Sequence, residues 1–416
     1  MGDQKNFLSK RWATDLLLLP ISDLPDCQTV IAGLAPDGGL YIPVSIPSLP
    51  ENWESVWKDY SFQQLAFAIL SLYISPEEIP PADLKALIEK SYSTFRNATI
   101  TPLHTHSPQL HILELFHGPT YAFKDVALQF LGNLFEYFLS RRNARLPPDA
   151  EPETITILGA TSGDTGSAAI YGLRSKPSIT IFILHPRGRV SPIQEAQMTT
   201  VLDANVNNLA VQGTFDDCQD IVKQLFNDAE FRTKYKLGAV NSINWARILA
   251  QIVYYFSAYF QARQAGISSE LQFVVPTGNF GDVLAGWYAK KMGLPMSKLG
   301  IATNANDILA RFWKKEEFSK GDEGVVETHS PAMDIVVSSN FERLLWYLAY
   351  DSLEGEEERR LRAGALIKGW MDLLKEDGKV PMPTKVLALS KEDFVAESVS
   401  NDQVGGKRSM KTTSDT

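Results

Sequence analysis

The 416-residue chain is 44% apolar and 21% charged, enough for two or three soluble domains with a sizeable core. Its 40 basic and 49 acidic residues leave a net charge of -9, which argues against a general nucleic-acid binder. Cys27 and Cys218, the two cysteines, offer neither a disulfide framework nor metal-ligand spacing, so a reducing, cytoplasmic setting and no metal are expected.

In chain order, Leu16 to Pro20 follows Lys10 and Arg11 like the core of a signal peptide, but it is short and Asp15 adjoins it, so it reads as a buried piece or an irregular arm. No apolar run is long enough to span a bilayer. Gly33 to Pro43 is a turn running into a short strand. Phe62 to Tyr73 has helical apolar spacing, and Pro80, Pro81 and Ala82 open a second helix that continues through Ala86 and Leu87. From Thr154 strands and helices alternate. Thr154–Leu158, Ile179–Leu184, Leu209–Val211, Gln272–Pro276 and Leu299–Thr303 read as strands. Helices are expected from Ser167, over Asp216–Asn227, over about Trp245–Ala265 and over Asp282–Met292, then at Asn340–Tyr350 and Leu361–Leu374. That alternation predicts an α/β fold, an open and largely parallel sheet with helices on both faces, whose ligands sit at the carboxyl ends of the strands. The expected domains are a mixed, helical one over 1–100 and α/β domains over 101–395, with a smaller subdomain at about 154–265 inserted. From about Ala396 the chain is nearly devoid of apolar residues, and 396–416 is expected to be disordered.

Chemistry concentrates at four places. Lys124 has Ala127, Leu128 and Leu131 as its neighbours at helical spacing. Desolvation there favours the neutral amine, the form that reacts with a carbonyl cofactor; the plainer reading is a snorkelling lysine paired with a carboxylate such as Asp125. The loop Gly159–Ser167 follows a strand and opens a helix, so its N–H groups and hydroxyls suit an anion. It lacks the lysine of a Walker loop and the glycine spacing of a dinucleotide fingerprint. Asp164 within it suits hydrogen bonding or helix capping better than a bare phosphate cradle. The loop Pro276–Asp282 repeats that architecture, with Gly278 and Gly281 permitting close approach of an anion. Asn241, Ser242, Asn244 and Arg247 at a helix start suit a phosphate or carboxylate, although Asn244 could be only an N-cap. His104, His106, His111, His185 and His329 show no ligand spacing and read as structural or exposed.

The run Glu114 to Asp125, the Gly159–Ser167 loop, Asn241–Arg247 and Val274–Gly281 together resemble the fungal type of threonine synthase, a fold-type-II pyridoxal-phosphate enzyme related in fold to the tryptophan synthase β chain. The likeness runs from about Gly33 to about Asn401. It implies an aldimine between Lys124 and pyridoxal 5'-phosphate, and cofactor contacts, mainly to the phosphate, from Gly278, Asn279, Phe280, Gly281 and Asp282. It places Ser162, Gly163, Asp164 and Thr165 at the substrate's amino-acid end, and Asn241, Ser242, Asn244 and Arg247 near its phosphate. The implied activity is that of a carbon–oxygen lyase acting on phosphates, turning O-phospho-L-homoserine and water into L-threonine and phosphate. Its partner would be that small-molecule substrate, with no nucleic acid and no membrane. Family members continue past this chain's end, with a His-Thr-Ala-Val-Gly-like motif whose threonine meets the pyridine nitrogen. At the start, a Ser-Thr-Arg-Gly-like opening is missing, and residues 1 to about 28 look unrelated. Two alternatives stay open on the residues alone: a paralogue acting on another activated amino acid, and an inactive truncated homologue. A nicotinamide dehydrogenase would leave Lys124 unexplained.

Overall fold

The computed structural model describes residues 39–403 except 322, 323 and 356, together with the backbone of 7–8. The Leu16–Pro20 run and the first part of the Gly33–Pro43 turn lie outside the described residues; the strand that ends that turn is present at Ile42–Pro43. Contacts group residues 43–268 into one compact unit, and 269 onward with 39–42 into a second.

The first unit opens with helices α1 (Trp53–Trp57), α2 (Phe62–Leu70) and α3 (Pro81–Tyr92). A capping box between Ser61 and Gln64 starts α2, and Pro81 takes the first position of α3, where a missing N–H costs nothing. α2 stops at Leu70, short of Tyr73, because Leu72 and Tyr73 donate three residues back and tighten the chain into a turn. A hairpin follows, β1 (Leu103–Ser107) with β2 (Leu110–Leu113), then the long helix α4 (Asp125–Asn143). The helices before residue 100 pack on those after it: α3 lies on α4, where Asn133 donates to the Ser91 hydroxyl at 2.9 Å.

The sheet of this unit has β3 (Ile155–Ala160), β4 (Ile179–Pro186), β5 (Val206–Val211) and β6 (Leu237–Gly238), all parallel, in the order β5-β4-β3-β6. Helices α5 (Asp164–Leu173), α6 (Pro192–Thr199), α7 (Phe215–Asn227) and α8 (Ala229–Lys234) connect them. The chain runs outward from β3 to β5 and then returns to the other flank of β3. The strand order therefore reverses at β3, and the loops after β3 and β6 open at the crevice where ligands of such sheets bind. Helix α9 (Trp245–Gln264) follows β6 directly and is buried on almost every side, packed on α2 and α4, as expected of a helix apolar all round.

The second unit has a three-stranded parallel sheet: β7 (Val274–Pro276), β8 (Leu299–Thr303) and β11 (Phe394–Ser398), in the order β11-β8-β7. Around it lie α10 (Gly281–Met292), α11 (Ile308–Lys315), α12 (Phe341–Ser352), α13 (Arg359–Glu376) and α14 (Thr384–Asp393), and a small antiparallel pair, β9 (Phe318–Ser319) with β10 (Lys379–Val380). One expectation is corrected here. The polar stretch said to begin at about 396 starts as β-structure: Ala396 pairs with Ile301 and Ser398 with Thr303. Residues 404–416 lie outside the described residues.

Candidate active site

Lys124 ends a turn that the sequence builds with care. Arg96 donates to the carbonyls of Gly118 and Pro119, and its guanidinium lies 4.1 Å from the centre of the Tyr121 ring. Tyr121 takes the left-handed backbone φ of 60°, unfavourable for an aromatic residue. The turn is closed by Asp125, fully buried, whose carboxylate accepts from the Thr120 N–H at 2.8 Å and from the Thr120 hydroxyl at 2.7 Å. Asp125 is thus not the partner of Lys124. Lys124 takes the N-cap position of α4 rather than an interior one, and its carbonyl accepts from Leu128 N.

The side chain of Lys124 is 12% exposed, and its Nζ forms an ion pair with Asp164 Oδ2. Burial pulls the Lys124 pKa down, the Asp164 charge and hydrogen bond push it back up, and the Arg247 charge lowers it again. Asp164 is the first residue of α5, and its side chain does not cap the helix. Thr161 does that work: its hydroxyl accepts from the N–H of Gly163 at 3.0 Å and of Gly166 at 2.9 Å. Gly163 has φ 149°, and a Cβ there would lie 2.1 Å from Gln194 Oε1, so α6 presses on the loop from outside. A second glutamine of α6, Gln197, donates to the Thr120 carbonyl. Ser162 and Thr165 lie in the same loop, both partly buried.

Arg247 stands in the first turn of α9, just past the loop after β6. Its side chain is buried, Nη1 donates to the Val240 carbonyl at 3.0 Å, and Nε has no hydrogen-bond partner among the described residues. Burial brings its pKa down to about 10, against the pull of the Asp164 carboxylate. Asn244 is an N-cap, accepting from Ala246 N at 3.0 Å. Asn241 is exposed and contributes its carbonyl to the same turn, accepting from Asn244 N; Ser242 lies between them, partly buried. The reversal of strand order thus brings the starts of α5 and α9, with Asp164 and Arg247, together beside Lys124.

In the second unit the loop after β7 is stitched down by residues that periodicity does not reveal. Ser338 donates to the Gly278 carbonyl, Asn340 donates to the Asn279 carbonyl from both its backbone and its side chain, and Ser339 bonds the Asn279 amide oxygen. Gly278 is packed so closely that a Cβ would lie 3.2 Å from Met333 Cα. Phe280, expected to touch a cofactor, turns its ring into a core of Trp313, Phe341 and Phe394, leaving its backbone for any ligand. Asp282 sits in the first turn of α10. Among the described residues no carbonyl accepts from the N–H groups of Gly278, Asn279 or Gly281. Free amides at a helix start are what a phosphate monoester needs, and a buried lysine is what an aldehyde needs, so both units carry donors that fit pyridoxal phosphate. Of the histidines, His185 is buried with Nε2 3.9 Å from Glu195, while His104 and His106 are exposed.

Residues 96–367 match the family of pyridoxal-phosphate dependent enzymes, and residues 22–92 match the threonine synthase N terminus, earlier than the about Gly33 at which the likeness was expected to start. Threonine synthase of Saccharomyces cerevisiae is 58% identical over 381 residues, covering 90% of this chain and 73% of its own. The crystal structure of threonine synthase from yeast superposes with a TM-score of 0.89 at 55% identity, covering 96% of this chain and 77% of that one. A PLP-bound threonine synthase from Brucella melitensis gives 0.84 at 41% identity, covering 96% and 79%. The fold is that of a fold-type-II pyridoxal-phosphate enzyme. Within that class, the chain belongs to the threonine synthase family, a group of lyases, and its cofactor is pyridoxal phosphate. The match removes the nicotinamide alternative.

Proposed function

We propose that the chain converts O-phospho-L-homoserine and water into L-threonine and phosphate, with Lys124 as the covalent anchor of pyridoxal phosphate. In this reading Gly278, Asn279, Phe280, Gly281 and Asp282 hold the cofactor, chiefly at its phosphate and chiefly through backbone N–H groups. Ser162, Gly163, Asp164 and Thr165 hold the substrate's amino-acid end, and Asn241, Ser242, Asn244 and Arg247 lie near its phosphate. The observation that carries the reading is the burial of Lys124 and Arg247 beside one loop at the reversal of strand order.

Bound at Lys124, pyridoxal phosphate supplies an electron sink for charge at the substrate's Cα. The Lys124 amine, once released, is placed to move protons at Cα and Cβ. Arg247 offers a desolvated cation with an unused Nε–H to a leaving phosphate; in a dry setting that contact is worth more than in water. The partner is a small molecule, with no nucleic acid and no membrane; among the described residues no helix is long and apolar enough to cross one. A cytoplasmic location goes with the two cysteines, of which Cys218 is buried and free.

The test pairs the wild type with Lys124→Ala. With added pyridoxal phosphate, the wild type should show a visible absorption band that borohydride fixes onto the Lys124 peptide, and should release phosphate from O-phosphohomoserine. The variant should do neither. A wild type that traps cofactor yet releases phosphate only from another activated amino acid would overturn the substrate, and trapping at a different lysine would overturn the site.

A further inference from the structure

Helix α9 is buried on nearly every side, so each polar side chain on it needs a partner inside the protein. Gln261 has several. Its amide oxygen accepts from Leu103 N at 2.8 Å, and its Nε2 donates to the Thr101 carbonyl at 2.9 Å and to the Ser257 hydroxyl at 3.0 Å. Gln251 differs. It is 2% exposed, and among the described residues its Oε1 has no hydrogen-bond partner. Arg247, also 2% exposed, stands one turn earlier and leaves its Nε unpartnered in the same way. Residues four apart lie on one face of a helix, their Cβ atoms about 5–6 Å from each other. Long side chains on a helix lean toward its N-terminus. Gln251 therefore leans toward the turn that carries Arg247, whose charge acts on Lys124.

We propose that Gln251 is a further phosphate-binding residue, closing with Arg247 around the phosphate of the substrate and of the released product. A carboxamide carries one acceptor and two donors, so its NH2 can meet one phosphate oxygen while Arg247 gives its Nε–H to another. A phosphate, with its oxygens set around one centre, bridges two side chains a turn apart. Burial is the largest influence on Arg247, and Asp164 only partly offsets it, so the guanidinium is short of counter-charge. A phosphate supplies that charge. With no ligand bound, a buried amide oxygen and a buried N–H that lack partners both cost stability. Binding relieves those costs. Phosphate affinity and stability should therefore respond differently when Gln251 is replaced by an apolar side chain of similar size.

This inference rests on the reading of Arg247 as a phosphate residue, and the experiment separates the two. Labelled inorganic phosphate is titrated by equilibrium dialysis against the full chain loaded with pyridoxal phosphate, so that the cofactor's own phosphate donors are occupied. Thermal unfolding of the same proteins is followed without phosphate. Gln251→Met keeps the volume and removes the amide. It should bind phosphate about ten-fold more weakly than wild type, the size of one hydrogen bond to a charged group, and should unfold at the same temperature or higher. Gln251→Glu, which sets a carboxylate against Arg247, should bind it more weakly still. Wild-type affinity in both Gln251 variants overturns the proposal. So does a large loss of stability in Gln251→Met, because the amide would then serve the fold. Arg247→Gln should also lose binding. If it alone loses binding, only the role of Gln251 falls; if it binds as wild type does, or if wild type binds no phosphate, the reading of Arg247 falls too.

Discussion

Asp125 neighbours Lys124 in sequence, yet it serves the backbone rather than the lysine. Successive residues at a helix start point about 100° apart, so the two side chains cannot readily face each other. Burial raises the pKa of the Asp125 carboxyl, and the two bonds from Thr120 lower it, leaving it above the ordinary value. A carboxyl whose folded pKa lies above its unfolded one is a liability when ionised, and that liability is relieved as the pH falls through the raised value. The charge is therefore dispensable and the acceptor is not. Asp125→Ala leaves both Thr120 donors buried and unpaired and is expected to cost about 2–4 kcal/mol in urea unfolding, whereas Asp125→Asn should cost clearly less. Equal losses would show that the charge itself holds the turn. The burial of Lys124 was legible because its apolar surroundings lie at helical spacing in its own sequence. The lysine's true partner was not: Asp164 lies far along the chain, and Gln197, which steadies Thr120, lies farther still.

Helices α4 and α5, which carry Lys124 and Asp164 at their starts, touch backbone to backbone farther down. A Cβ on Gly132 would lie 2.0 Å from the Gly172 carbonyl oxygen, and one on Gly172 would lie 2.6 Å from that of Leu128. Neither neighbour is a flexible side-chain end, so the crossing can only open. Gly132→Ala should cost about 1–3 kcal/mol despite alanine's better helix propensity, and should weaken cofactor trapping at Lys124 by moving the two helix starts. A variant as stable as wild type would mean the crossing has slack. Element boundaries were readable wherever a cap or a buried run marks them. Helix α7 begins behind the Thr214–Asp217 capping box, and β8 spans the expected Leu299–Thr303. Strand β11 was not readable, because Phe394–Ser398 is short, half polar, and defined by its pairing with a strand far earlier in the chain.

Across the whole molecule, acid should act first on buried carboxylates that have cationic partners. Asp393 closes α14 against α10, with Lys290 at 3.0 Å, Lys291 at 2.8 Å and the Trp287 indole N–H at 2.9 Å. Burial alone would raise its pKa, but Lys291 and Lys290 together pull it below the ordinary range. A depressed folded pKa stabilises fully above the unfolded value, and that stabilisation is lost as the pH falls through the folded one. Asp393→Asn should therefore cost about 1–2 kcal/mol at pH 7, the contribution of Lys291 being partly screened at 39% exposure. The gap from wild type should close below about pH 4 in unfolding titrations; a gap that persists there would point to shape rather than charge. The pairing of β3 with β6 bears on a different property, the order of assembly. Thr156 must wait for Leu237, since long-range parallel pairing is slow and needs the intervening chain. During synthesis Lys124 and Asp164 leave the ribosome well before Arg247, so the three side chains of the proposed site can meet only once β6 and the start of α9 have been made.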